Sequence, residues 1–265
     1  MPACTVHLLS LTVPLPEFLN KLSTTSLKPL TVARVIRWII LPSTLSTDAL
    51  LAQNIHWDIL LILPSTDALP SSLQPLVRHQ WQITAGVPSR LIQDFDSKNQ
   101  TLLNPNPETI PPLTGSLRNP RIASSTQSLE LSPPLRDWIS SFREREGKHA
   151  MSMLNLLSFK PGKKEQYLQY GSAFAKSIGS KRGGVAKIVG TVIDDKEGWD
   201  EIALAHYPSI DHFADMLASE DYQEVNHKYR VGSLRDTCIL CTTEVDLVGG
   251  ESVEGEGEGR GKAKL

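Results

Sequence analysis

Four apolar runs in the C-terminal half of the chain alternate with turn-forming residues. Each run is rich in leucine, β-branched or aromatic residues and is bounded by Pro, Gly or Asp, which is typical of β-strands. The runs cover residues 152–159, 185–193, 199–207 and 237–246. Apolar residues at helical spacing predict a helix over 163–180, and a second helical region follows Ser209, a suitable N-cap. The order β-α-β-β-α-β predicts an α+β, ferredoxin-like sheet with both helices on one face.

The N-terminal half repeats parts of this pattern in the same order. Residues 7–11 (HLLSL) parallel 155–159 (NLLSF), and Trp57-Asp58 parallels Trp199-Asp200. The further elements expected in this half are strands over 30–41, 57–63 and 87–95 and two short helices over 17–22 and 73–81. Because the C-terminal strands are apolar on both sides, their sheet needs a cover on the face without helices. We therefore expect two ferredoxin-like copies that form an internal pseudo-dimeric α/β barrel, in a monomer or, alternatively, in a homodimer.

The composition divides the rest of the chain into segments. The predicted domains are a diverged ferredoxin-like half (1–100), a linker (101–131), a connecting helix (132–148), the main ferredoxin-like domain (149–247) and a disordered tail (248–265). The linker is rich in Pro, Asn, Ser and Thr, and the tail is rich in Gly and Glu with almost no apolar residue.

Charge and motif content exclude several classes of protein. The 265 residues carry a net charge of −2 without a basic stripe, which argues against nucleic-acid binding. No apolar run is long enough to cross a bilayer, and the N-terminus lacks a basic signal-peptide region, so we expect no membrane partner and a cytoplasmic location. Walker A, dinucleotide-binding, zincin and nucleophile-elbow motifs are absent.

Cys238 and Cys241 have C-x-x-C spacing, but they lie in a predicted strand. Residues three apart in a strand point to opposite faces, so the spacing does not favour a zinc or redox site. We predict no metal and no cofactor.

Four motifs in the C-terminal half carry a family resemblance. They are MLNLLSF (153–159), EQYLQYGSAFA (165–175), WDEIALAHYPS (199–209) and DYQEVNHKYR (221–230). Over roughly residues 149–247 the chain resembles a bacterial and fungal family of domains of unknown function in the dimeric α/β-barrel superfamily. The resemblance implies a pocket between the helices and the sheet. It implies no particular activity, because superfamily members include cofactor-free monooxygenases, isomerases, cyclases, haem-binding proteins and stress-responsive binding proteins.

Three residues are candidate catalytic groups. His206 and Tyr207 end a strand on opposite faces, and His206 is either a general base or a solvated histidine. Arg230 shares a helical stripe with Tyr222 and Asn226, and His227 lies beside it. Tyr222 and Arg230 are suited to holding an enolate or carboxylate while His227 moves a proton, whereas the alternative is that they cap the sheet edge.

The candidate ligand-binding residues are polar or aromatic side chains in otherwise apolar elements. They are Asn155, Tyr167, Tyr170, Trp199, Asp200, Tyr207 and Tyr222. A buried amide such as Asn155 needs a hydrogen-bond partner, which is either a ligand or a neighbouring strand. Trp199 and the tyrosines are also suited to the core, and Asp200 to capping or ion pairing.

Two functional hypotheses follow. In the first, the chain binds a small aromatic or polyketide-like molecule and acts as a cofactor-independent isomerase, cyclase or monooxygenase. In the second, it is a non-catalytic binding or assembly module that associates through its sheet. A cavity lined by several polar groups would favour the first hypothesis, and a solidly packed helix layer the second.

Overall fold

The computed structural model describes residues 1–146, 149–194 and 197–247. The strands are β1 (Ala3–Leu11), β2 (Thr31–Ile40), β3 (Ile59–Leu63), β4 (Val77–Gly86), β5 (Met151–Phe159), β6 (Val185–Asp194), β7 (Glu201–Tyr207) and β8 (Leu234–Glu244). They form one closed barrel in the order β1-β3-β2-β8-β5-β7-β6-β4, and every neighbouring pair is antiparallel.

Side chains that alternate along each strand build two separate cores. In β7, Ile202 and Leu204 point into the barrel, and they pack there with residues of the other strands. Eight strands enclose a space that side chains can fill, and Trp57, Trp199 and Phe95 add aromatic bulk to this interior core. The opposite faces of the strands pack against helices outside the barrel.

Seven α-helices surround the barrel in the described part of the chain. They are α1 (Leu15–Ser23), α2 (Ser89–Ile92), α3 (Phe95–Leu103), α4 (Pro133–Glu146), α5 (Lys164–Ala173), α6 (Ile210–Leu217) and α7 (Glu220–Val225). α5 continues as a wider π-helical turn over Phe174–Ile178, and α7 does so over Asn226–Val231. Helices α4 to α7 cover β5, β7 and β8 and form the largest outer core with them.

The predicted fold class is wrong. We expected two ferredoxin-like β-α-β-β-α-β copies whose sheets cover each other as an internal pseudo-dimeric α/β barrel. Instead, β2 pairs with β8 and β4 pairs with β6, so the eight antiparallel strands form a single closed sheet. Closure itself covers the inner face and removes the free sheet edges. The protein is thus an eight-stranded antiparallel barrel, and the predicted ferredoxin-like and dimeric α/β-barrel architectures are wrong.

The expected internal repeat is also wrong. Before β8 the chain forms α6 and α7, whereas before β4 it forms only a three-residue 3₁₀ helix, Gln74–Leu76. The helix predicted over 73–81 is mostly strand β4, which pairs with β1 over its whole length, and the strand predicted over 87–95 contains α2. Pairing in the sheet therefore overrides the weak helical pattern of this segment.

The segment between the halves packs against the helices. The backbone N–H and hydroxyl of Thr114 donate to Asp215 Oδ2, the hydroxyl at 2.5 Å, and His212 Nε2 lies 2.9 Å from the carbonyl oxygen of Pro111. The helix predicted to follow is present as α4, with its apolar face buried. The tail predicted to be disordered, 248–265, lies outside the described residues. Within the described ranges, no helix has the length and apolarity needed to cross a membrane.

Candidate functional site

A cavity of about 740 Å³ lies between the outer face of the sheet and helix α5. Its floor is formed by residues of β5, β6 and β7, and its roof by α5 and the π-helical turn that follows. Pro88, Arg90 and Leu91, in and beside α2, line one side. The cavity is therefore outside the barrel interior, in the layer between helices and sheet.

Small side chains keep this space open. Ala203 and Ala205 lie on the outward face of β7 and remain partly exposed although helices cover the sheet there. Gly171 lies within α5, and a Cβ atom added to it would meet no atom within 4 Å. Glycine in a helix costs up to about 1 kcal/mol relative to alanine, so this position favours space over helix stability.

Aromatic rings form a continuous wall along the cavity. Ring centroids are 5.4 Å apart for Tyr167 and Tyr170, 6.3 Å for Tyr170 and Phe174, and 6.4 Å for Phe174 and Tyr207. Tyr222 lies behind this wall, with its ring centroid 6.4 Å from that of Tyr170. The Tyr170 and Tyr222 hydroxyls lie 3.3 Å apart. Burial raises the pKa of Tyr167, Tyr170 and Tyr222, so their hydroxyls stay neutral hydrogen-bond donors at physiological pH.

Glu201 is the single acidic residue among the described residues that line the cavity. Only 7% of it is exposed, and its carboxylate accepts no hydrogen bond from any described residue. Burial raises its pKa to about 7; neighbouring Asp200 acts in the same direction and Lys164 opposes them. A carboxyl with such a pKa can both accept and release a proton near neutral pH.

Arg230 is a buried cation behind the aromatic wall. It is 2% exposed and donates to the hydroxyl oxygen of Thr237 at 3.4 Å. Within the ranges that the structure describes, no carboxylate forms an ion pair with it. The π-helical turn that carries Arg230 packs against α5, which carries Tyr167 and Tyr170, and Gln166 Nε2 donates to the carbonyl oxygen of Lys228 at 2.9 Å across this contact. The charge of Arg230 opposes the effect of burial on the pKa values of Tyr167, Tyr170 and Tyr222.

The structure brings four predicted ligand-binding residues together at the cavity. They are Asn155, Tyr167, Tyr170 and Tyr207. Asn155 Nδ2 donates to the carbonyl oxygens of Met153 at 2.9 Å and Ala203 at 3.4 Å. The amide therefore forms the strand contacts that were the alternative, while it also lines the cavity.

The predicted histidines lie elsewhere. His206 points into the barrel interior, where burial, with a smaller effect of Lys187, lowers its pKa to about 3. Tyr207 faces the helices, so the expected opposite orientation of these neighbours is confirmed. His227 is exposed at the surface, and its Nε2 lies 3.1 Å from Glu130 Oε1. The structure thus places both histidines away from the cavity.

Trp199, Asp200 and Tyr222 do not line the cavity. Trp199 packs in the barrel interior and donates to Ser46 Oγ at 2.7 Å. Asp200 Oδ2 accepts from the backbone N–H of Phe159 at 2.7 Å, which fixes the end of β5. Tyr222 lies behind Tyr170, with the two hydroxyls 3.3 Å apart.

Glu201 was missed by sequence reasoning, although a signal was present. It is an acidic residue in a strand that is otherwise apolar, two positions before Ala203 on the same face. A charged residue in line with small residues on the helix-covered face of a strand indicates a polar group at a cavity.

No cluster of three or more His, Cys, Asp or Glu side chains suited to a metal ion occurs in 1–146, 149–194 or 197–247. Cys238 packs inside the barrel and Cys241 in the outer core, so the predicted placement on opposite faces is confirmed. Both are free thiols.

No protein-family model and no curated protein matches the chain. The crystal structure of methylated RPA0582 protein is 24% identical over 42% of this chain and 92% of that one, with a TM-score of 0.36. A second structure, of the RPA0582 protein of unknown function from Rhodopseudomonas palustris, is 22% identical over 42% of this chain and 94% of that one, with a TM-score of 0.35. Similarity this low supports no functional conclusion, and the resemblance to a domain-of-unknown-function family stays a prediction.

Proposed function

We propose that this protein binds a small, largely apolar molecule in the cavity and that Glu201 transfers a proton to or from it without a cofactor. The activity would be that of an isomerase or cyclase. The observation that carries the proposal is a single buried carboxyl, with its pKa raised to about 7, at a cavity of about 740 Å³. That volume lies within the usual range of small-molecule sites, which combine apolar walls with a few polar groups.

The shape and chemistry of the walls favour a flat ligand. Tyr167, Tyr170 and Tyr207 present aromatic rings and neutral hydroxyls, and Ala203 and Ala205 leave room above the sheet. An aromatic or polyketide-like molecule matches this combination of ring stacking and scattered polar contacts. A solidly packed layer would have favoured the alternative assembly module instead.

Two further properties belong to this proposal. We place the protein in the cytosol, a location that the free thiols of Cys4, Cys238 and Cys241 favour because a reducing compartment keeps cysteines unpaired. We also propose that it acts as a monomer, because the closed barrel presents no sheet edge to a second chain.

Binding is tested by isothermal titration calorimetry with a panel of phenols, quinones and lactones. Calorimetry is preferable to tryptophan fluorescence because none of the five tryptophans is among the described lining residues. Ala203→Leu fills the floor of the cavity, and Ala52→Leu adds the same side chain at an exposed site. We expect a panel member to bind the parent and Ala52→Leu equally and Ala203→Leu at least about tenfold more weakly. Equal binding to all three, or no binding to the parent, would refute the cavity as the site.

Proton transfer is tested with the panel members that bind. Each is incubated with the protein in deuterium oxide, and NMR follows deuterium incorporation at carbon. We expect Glu201→Gln to abolish the catalysed exchange while affinity stays within about twofold, because the amide keeps the shape of the carboxyl but cannot accept the proton. Exchange that persists in Glu201→Gln would remove Glu201 from the reaction.

A further inference from the structure

Arg230 is unusual among the buried charges of this protein. Arg182, which is equally buried, forms ion pairs with Asp215 and Asp221, and Lys187 pairs with Glu244. Arg230 has the hydroxyl of Thr237 and the neighbouring tyrosines instead. A buried guanidinium that has no counter-ion among the described residues is costly to bury, and a negatively charged ligand would offset this cost.

Tyr167 connects this cation to the cavity. Its side chain lines the cavity together with Glu201, and its helix α5 packs against the π-helical turn of Arg230, where Gln166 Nε2 donates to the carbonyl oxygen of Lys228 at 2.9 Å. Both the Arg230 guanidinium and the Glu201 carboxyl affect the pKa of the Tyr167 hydroxyl. The cavity therefore has a proton acceptor, Glu201, and a hydroxyl donor backed by a cation within electrostatic range of each other. Such a pair of groups is what proton removal next to a carbonyl requires.

We propose that Tyr167 and Arg230 form an oxyanion-binding pair, and that the substrates are carbonyl compounds with an acidic C–H bond beside the carbonyl group. This inference rests on the proposed function, since it assigns the substrate class of the same cavity. Tyr167 is the catalytic residue of the pair because it touches the substrate oxygen, and Arg230 is a positioning residue that acts through Tyr167.

The reaction step balances without an added reagent. Glu201, as carboxylate, takes the proton from the carbon beside the carbonyl, and the electron pair of the broken C–H bond forms a C=C bond. The C=O π electrons move to oxygen, which becomes an enolate that accepts a hydrogen bond from the Tyr167 hydroxyl. Return of the proton from Glu201 to another carbon of the same conjugated system completes an isomerisation. Glu201 is neutral while the substrate is an anion, and the buried charge of Arg230 behind Tyr167 then offsets the negative charge of the enolate.

The test uses Glu201→Gln as the parent, because its neutral amide mimics the protonated acid of the enolate state. Two probes of similar shape are titrated at a pH where the first is ionised: para-nitrophenolate, which carries an oxyanion, and nitrobenzene, which does not. We expect Tyr167→Phe in this parent to weaken para-nitrophenolate about tenfold and nitrobenzene less than about twofold, since a hydrogen bond to a charged group is lost. Tyr207→Phe, which removes a hydroxyl from the same cavity, should change neither affinity.

Arg230 is tested by charge rescue. Arg230→Met should weaken para-nitrophenolate binding about tenfold, as Tyr167→Phe does, and Arg230→Lys should retain most of the affinity. Nitrobenzene should bind both variants equally. Equal losses for both probes would show a merely structural role, and unchanged para-nitrophenolate affinity in Tyr167→Phe would overturn the oxyanion pair. Either result leaves the proposed binding in the cavity intact. If the unmodified protein and Glu201→Gln bind neither probe and no member of the panel, the proposed function itself is refuted.

Discussion

Replacing Glu201 with glutamine removes a carboxyl group whose ionisation opposes folding. The pKa of this group rises from an ordinary 4.5 to about 7 in the folded protein, a difference of about 2.5 pH units, mainly through burial. A raised acid pKa means that the folded state holds the proton more tightly than the unfolded state. The free energy of unfolding therefore falls as pH rises from about 4.5 to 7, by about 3 kcal/mol at 1.36 kcal/mol per unit.

Urea denaturation of the parent and Glu201→Gln near pH 4 and pH 8 measures this effect. We expect the variant to gain about 3 kcal/mol relative to the parent between the two pH values, because the amide cannot ionise. Glu165→Gln, on the exposed face of α5, is the matched control, since its carboxyl is in water before and after unfolding. If the difference in stability between the parent and Glu201→Gln is the same at both pH values, burial does not raise the pKa of Glu201 in the folded protein, and the reasoning is wrong.

Three other predictions concern the rest of the fold. Lys187→Met leaves the Glu244 carboxylate buried without its partner and should destabilise the protein by about 3–5 kcal/mol in urea, whereas adding Glu244→Leu should restore most of the loss. Burial raises the pKa of Cys241 to about 12 and raises that of Cys238 as well, so both should resist Ellman's reagent in the native protein and react once urea unfolds it. Burial alone would raise the pKa of Asp236, but backbone N–H groups of the segment after β2 outweigh it and lower the pKa to about 2. Asp236→Asn should therefore cost about 2 kcal/mol near pH 7, and the loss should shrink as pH falls from about 4 towards 2; an unchanged loss in acid would contradict this.

Local patterns predicted the strands well and their assembly poorly. Alternation and β-branched residues locate β5 to β8 within a few residues, because these signals depend only on neighbours in sequence. Closure depends on contacts such as Ile40 with Ile239, which no local pattern encodes. Burial reasoning correctly required a cover for the inner sheet face, but it could not distinguish a stacked second sheet from edge-to-edge closure.

The cavity residues show the same division. Helical spacing placed Tyr167 and Tyr170 on the face that covers the sheet, and strand alternation placed His206 and Tyr207 on opposite faces. Alternation did not indicate which of the two faced the helices, since that depends on how the sheet curves. The strand pattern marked Glu201 as an unusual acidic residue, but its raised pKa arises from desolvation, which is a property of the assembled layers rather than of its neighbours in sequence.

The order in which the strands are synthesised has a consequence for biogenesis. β1 to β4 leave the ribosome long before β6 and β8. In the finished barrel, however, β4 pairs with β6 and β2 pairs with β8. A nascent chain therefore carries two rows of unsatisfied backbone donors and acceptors until translation has passed residue 244. Chaperones can keep such intermediates from pairing with each other on a polysome. We therefore expect chaperone levels to affect the expression yield strongly and the stability of the mature protein little.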